Sequence, residues 1–166
     1  MGMTFREAIA AVEVGLIRGD QLPDIATTGL LEGYESRWLA ALAGESSRRY
    51  DSVECHRLWK AALDELGIQP PDHINGGRAL VLAYARLVVD GELSPRLGAE
   101  MIVEVHAAVQ STDCDSRYVG DCLGASKIIG LFYEHDDCGF LDEATHGEID
   151  SEVLEECRRL VGSPAS

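Results

Sequence analysis

Glu134-His135-Asp136-Asp137-Cys138, followed by His146 and Glu148, is the densest run of side chains able to hold a metal or move a proton. Carboxylate, imidazole and thiolate are the usual ligands of divalent transition metals. Glu143-x-x-His146 also has the one-turn spacing that di-iron helix bundles use. Those bundles require two such pairs and two further glutamates from facing helices. Only one Glu-x-x-His occurs in this sequence, and no two closely spaced zinc-type ligand pairs accompany it. A metal enzyme here would use His135, Asp136, Asp137 and His146 as ligands, with Glu134 or Glu143 as base. The reading that needs fewer missing parts is a solvated acidic segment with no metal or other cofactor.

Other chemical patterns fail on spacing. Asp142 to Val153 can be laid over a calcium loop, with Gly147 sixth and Ile149 eighth. Its third and twelfth positions are Ala144 and Val153, where ligands should stand. Gly120 to Lys127 has glycines, a serine and a lysine, but the lysine follows the serine, so the order of a phosphate-binding loop is broken. No G-x-S-x-G is present. Cys55 and His56 are adjacent, whereas a nucleophile and its base must converge in space. His106 reads as a helix-end residue favoured by the helix dipole. Trp38 and Trp59 fall on apolar stripes and read as core.

Charge is the most informative quantity. The chain of 166 residues holds 14 basic and 29 acidic side chains, a formal net of -15. That balance excludes the usual nucleic-acid backbone binder, which needs a basic face, and disfavours an anionic membrane surface. Residues 1–50 hold 5 basic and 7 acidic groups, residues 51–110 hold 5 and 9, and residues 111–166 hold 4 and 13. The last third thus carries most of the excess. By acidity alone such a surface reads first as a solvated face that keeps the protein soluble, and more sharply as one that steers a basic partner. The expected function is an acidic interaction domain, in the immunity or antitoxin style, that binds and blocks a basic protein. Glu134, Asp136, Asp137, Asp142 and Glu143 would contact the partner. A scaffold or adaptor subunit, self-associating through Trp38 or Phe132-Tyr133, is the second reading, and the metal enzyme is the third.

The five cysteines are odd in number and show no C-x-x-C spacing. They read as reduced thiols in a cytoplasm. No signal peptide is evident, because Glu13 interrupts the apolar stretch from Ala8 to Ile17. The longest apolar runs, Ala79 to Ala85 and Ile128 to Tyr133, fall far short of the roughly 20 residues a spanning helix needs.

These residues must be positioned by helices. Thr4 and Glu7 form a capping box, after which Phe5, Ile9, Val12 and Leu16 recur at helical spacing to a stop at Gly19. Pro23 opens a helix that Gly33 ends, and Ser36 caps one that Gly44 closes. Residues 45–50 read as a loop. Asp51 or Ser52 starts the strongest helix, with Cys55, Leu58, Trp59, Ala62, Leu63 and Leu66 on one stripe and Gly67 as its stop. Gln69-Pro70-Pro71 is a boundary. Further helices follow from Asp72 to Val89, Ser94 to Gln110, Asp121 to Glu134 and Glu148 to Val161. Ile128 to Tyr133 has a short buried strand as its alternative. Residues 111–117 and 136–147 read as loop and turn. The expected fold is all-α, a compact irregular bundle of about seven short helices in a single domain over residues 1–161, with a disordered tail at 162–166.

One block supports the helical reading from another direction. Glu32-Gly33-Tyr34-Glu35-Ser36-Arg37-Trp38-Leu39-Ala40-Ala41-Leu42-Ala43-Gly44 fits the pattern E-G-Y-x-S-x-x-L-x-x-L-A-G. It resembles a block in uncharacterised bacterial, largely actinobacterial, helical proteins. Gly67-Ile68-x-x-Pro71 and Gly91-Glu92-Leu93-Ser94-Pro95-x-x-Gly98-Ala99 are similar in style. The resemblance implies a shared helical scaffold and no activity.

Overall fold

The computed structural model describes residues 3–45, 51–110, 118–137 and 143–162, and the backbone alone at 135–137 and 143–145. Among these residues the protein is all-α, with nine α-helices, one 3-10 turn and no strand. The backbone divides into two compact units, Met1–Asp72 and His73–Ser166, and the division falls one residue after Pro70-Pro71. Each unit is described by itself.

The first unit holds α1 (Phe5–Glu13), α2 (Leu22–Leu31), α3 (Arg37–Ala43) and α4 (Ser52–Leu66), with a 3-10 turn at Gly19–Gln21. Thr4 caps α1 as expected. Its hydroxyl accepts from the Glu7 amide at 3.3 Å, and the Glu7 carboxylate accepts from the Thr4 amide at 2.8 Å. The helix ends sooner than the sequence suggests. Gly15 takes a left-handed φ of 81°, and the Leu16 amide turns back to the Ala11 carbonyl at 2.9 Å. Leu16 therefore lies beyond the helix, and Gly19 belongs to the following turn. At Gly33 (φ 90°) and Gly67 (φ 64°) the same left-handed exit stands where the sequence places it.

Distant carboxylates satisfy two helix starts in this unit. Glu32, just past α2, accepts from the Phe5 amide at 2.9 Å. Glu65 on α4 accepts from the Ser36 hydroxyl at 2.6 Å and the Arg37 amide at 3.1 Å. Ser36 in turn accepts from the Trp38 and Leu39 amides, each at 3.2 Å. The Ser36 hydrogen bond, aided by the Arg37 charge, holds the Glu65 carboxyl below its ordinary range. The core forms around Phe5, whose ring lies 4.8 Å from Tyr34 and 5.8 Å from Trp59. Gly29 on α2 leaves room for it, since a Cβ there would stand 2.7 Å from Phe5 Cδ2.

The second unit holds α5 (His73–Val89), α6 (Pro95–Gln110), α7 (Val119–Leu123), α8 (Ser126–Asp137) and α9 (Glu143–Gly162). Its apolar interior includes fully buried Leu80, Val81, Ile102, Val105, Ile128 and Ile129. Gly76-Gly77 reads in the sequence as a weak first turn of α5. In the structure both are buried, and a Cβ on Gly77 would stand 2.7 Å from Leu123 Cδ2 and 2.9 Å from Val109 Cγ2. Close approach is the reason for that glycine. Gly98 on α6 is used in the same way against Val88 of α5.

The helix expected over 121–134 is two helices, because Gly124 takes a φ of 72°. The Ala125 amide closes the first of them on the Gly120 carbonyl at 2.9 Å. Among the described residues the helices number nine, against about seven expected. Ile128 to Tyr133 is helical, not a strand. The last helix begins at Glu143 rather than Glu148, so residues 143–147 are helical and not turn-like. Residues 46–50 of the expected loop at 45–50, the expected loop at 111–117 and residues 163–166 of the expected tail lie outside the described residues, while Gly162, expected to open that tail, is the last residue of α9.

Candidate functional site

The acidic surface of the second unit is built by α8 and α9. Ile128, Ile129 and Leu131 turn one face of α8 inward, and Ile149, Val153 and Cys157 do the same for α9. One flank of α9 presents Glu148, Glu152 and Glu155, all exposed and spaced by one helical turn. Lys127 on α8 approaches Glu152 at 4.0 Å, and the stripe keeps a net negative charge. Glu156 lies on the buried side, 7% exposed, and Arg159 holds it through Nε at 2.8 Å and Nη2 at 2.5 Å.

Of the residues read as partner contacts, Glu134 is exposed in the last turns of α8. Asp136 and Asp137 end that helix, and Glu143 opens α9; their side chains lie outside the described residues, as does Asp142 entirely. Glu134, Asp136 and Asp137 therefore crowd negative charge onto a helix C-terminus, where the macrodipole is itself negative. Glu143 sits at a helix N-terminus, where negative charge is favoured. The sequence reading missed the Glu148–Glu152–Glu155 stripe, because it placed Glu148 at a helix start instead of inside a longer helix. The one-turn spacing was the available signal.

The other candidates separate. Cys55 is fully buried, with its thiol pushed up by burial and by Glu45, Asp51 and Glu54 nearby. His56 is exposed, its Nδ1 2.7 Å from the Ser52 carbonyl oxygen. The adjacent pair thus faces opposite ways and makes no nucleophile with its base. Cys157 is fully buried, and burial next to Glu156 raises its thiol to about 11. Cys55, Cys122 and Cys157 are free thiols. His106 is not a solvent-facing helix-end residue. It is 6% exposed, its ring lies 5.4 Å from Tyr118, and Nε2 has no hydrogen-bond partner among the described residues. Burial pushes its pKa below the ordinary 6.5. Trp59 is core, as expected, at 3% exposure. Trp38 is only half-buried, with the Arg37 and Arg57 guanidinium groups 4.7 and 5.5 Å from its ring.

Among the described residues no three His, Cys, Asp or Glu side chains converge to hold a metal. His135, Asp136 and Asp137 lie outside that statement, since only their backbone is described. No described helix is long and apolar enough to cross a membrane. Set against known proteins, the chain matches no family model, no curated protein and no solved structure.

Proposed function

We propose that the chain is an acidic interaction protein of the cytoplasm that binds and occludes a basic protein partner through the α8–α9 surface. The observation that carries this reading is an excess of exposed acid on α8 and α9, at Glu134, Glu148, Glu152 and Glu155, of which Glu152 meets Lys127. Glu134, Asp136 and Asp137 gather at the C-terminal end of α8 against its dipole. Glu148, Glu152 and Glu155 add an outward stripe on α9. Lys or Arg side chains of a partner would relieve both. Exposed charges of this kind act mainly on the rate of encounter, and closer pairing then fixes the register. The partner is a protein whose own functional surface is basic, and the mechanism is steering followed by steric occlusion.

The test uses the full chain, tagged and loaded at low salt with native cytosol, to isolate a stoichiometric basic partner. Association kinetics are then measured for the wild type and for the triple variant D136K/D137K/D142K across a salt series. The variant is expected to associate at least ~10-fold more slowly at low salt and to lose most of its salt dependence. Unchanged kinetics, or the lack of any stoichiometric basic protein, would overturn the reading.

A further inference from the structure

A groove of about 520 Å³ lies between the end of α1 and one face of α4, within the first unit. Small-molecule sites occupy roughly 300–1,000 Å³. The groove arises because α4 has two working faces. Cys55, Leu58, Ala62 and Leu63 enter the core, while Val53, His56 and Lys60, at helical spacing, line the groove, with Leu63 at its floor. Val53 is 80% exposed there, an apolar side chain that the fold leaves uncovered.

The lining divides by charge. Lys60 brings an ammonium from α4, and Glu13, the last residue of α1, brings a carboxylate. Among the described residues neither has an ion-pair partner within 4.0 Å, and they do not pair with each other. Arg57 also lines the groove, but Glu54 holds it at 2.7 and 2.6 Å. The surface beside these charges is apolar, from Val12 and exposed Val53, with Leu63 and Trp59 buried beneath. The Trp59 indole N–H has no hydrogen-bond partner among the described residues.

We infer that this groove binds a small zwitterion with an apolar body, an apolar amino acid or dipeptide. Its carboxylate meets Lys60, its ammonium meets Glu13, and its side chains cover Val53 and Val12. A simple carboxylate would be repelled by Glu13 and a simple amine by Lys60. A neutral apolar ligand would strip water from both charges and pair neither. Opposite charges at the two ends of one molecule satisfy both walls. The groove is in the first unit and the proposed partner surface in the second, so the two proposals stand or fall separately.

The probe is L-leucyl-L-leucine, titrated calorimetrically into the full chain alongside its N-acetylated and C-amidated forms. Trp59 emission in a Trp38→Phe background gives a second readout. Saturable binding is expected with a Kd on the order of 0.1–1 mM. Blocking either end, or introducing Glu13→Gln or Lys60→Met, should weaken it at least ~10-fold with helix content unchanged. Should either variant fail to fold, the blocked peptides on the unaltered chain make the same comparison. No saturable signal up to ~10 mM, or binding indifferent to the blocked ends and to both substitutions, would overturn the inference.

Discussion

In the first unit α1, α2 and α3 are 9, 10 and 7 residues long. In the second, α5, α6 and α9 are 17, 16 and 20. Every helix leaves about four N–H and four C=O groups without internal partners. In a helix as short as α3 these are most of its backbone polar groups; in α9 they are a minority. Short helices therefore need side chains brought from elsewhere in the chain. Glu32 serves α1 and Glu65 serves α3. The rule follows length and not the unit. The shortest helix in the second unit, α7, has 5 residues, and Arg78 of α5 donates to its Cys122 carbonyl at 2.6 Å. Long helices rely instead on lateral packing, as at the Gly98–Val88 crossing. The two units also use acid differently. Each has 7 basic side chains, against 12 acidic ones in the first and 17 in the second. Part of the first unit's acid is tied into caps, while the second exposes Glu134, Glu148, Glu152 and Glu155.

The largest expected effect comes from Phe5→Ala. Phe5 is fully buried between Tyr34 and Trp59, and its loss should destabilise by about 3–5 kcal/mol in urea unfolding. A loss near 1 kcal/mol would mean that the short helices do not depend on this core. Next is Gly98→Ala. Its Cβ would run into Val88 Cγ2, and Val holds one χ1 rotamer in a helix. Overpacking costs about 1–3 kcal/mol, which should exceed the helix-propensity gain of about 1. A stabilised variant would show that the α5–α6 crossing has slack.

Third, Ser36→Ala should cost about 1 kcal/mol or more, and Ser94→Ala should cost less. Ser36 accepts two amides and donates to Glu65, whereas Ser94 accepts from the Leu97 amide alone at 3.3 Å and caps a helix of 16 residues. Equal losses in equilibrium unfolding would remove the link to helix length. The smallest effect is a pH dependence. With its folded pKa below 6.5, His106 takes a proton more readily in the unfolded chain. Its contribution is present above pH 6.5 and is lost as pH falls from there toward the depressed folded value. Unfolding curves between pH 7.5 and about 5 should show a shallower loss for His106→Gln than for wild type. Parallel slopes would mean that His106 is not held neutral.

The local signals were legible. Thr4 with Glu7, Ser36, Asp51 and Gly67 each act within a few residues, and each stands where its pattern placed it. The sequence reading ended α1 at Gly19, and Gly15 ends it instead; either glycine can end a helix. What decides is that the Leu16 and Ile17 amides both reach the Ala11 carbonyl, at 2.9 and 3.2 Å. The carboxylate caps were hidden because Glu32 acts 27 residues from Phe5 and Glu65 acts 29 from Ser36. The burial of His106 was hidden for a related reason. Its neighbour Tyr118 comes from another helix start, and helical spacing alone says nothing of what lies across a crossing. At the acidic surface, composition located the region, but the face that α9 presents depended on where that helix begins.

Cys55 lies in the first unit and Cys157 in the second, and each is fully shielded from solvent. Only a thiolate reacts with an alkylating reagent, and both thiols are raised. Neither reacts until its surroundings open. The chain thus carries one built-in clock per unit, and the two alkylation rates, read by mass spectrometry under native conditions, time the opening of each unit separately.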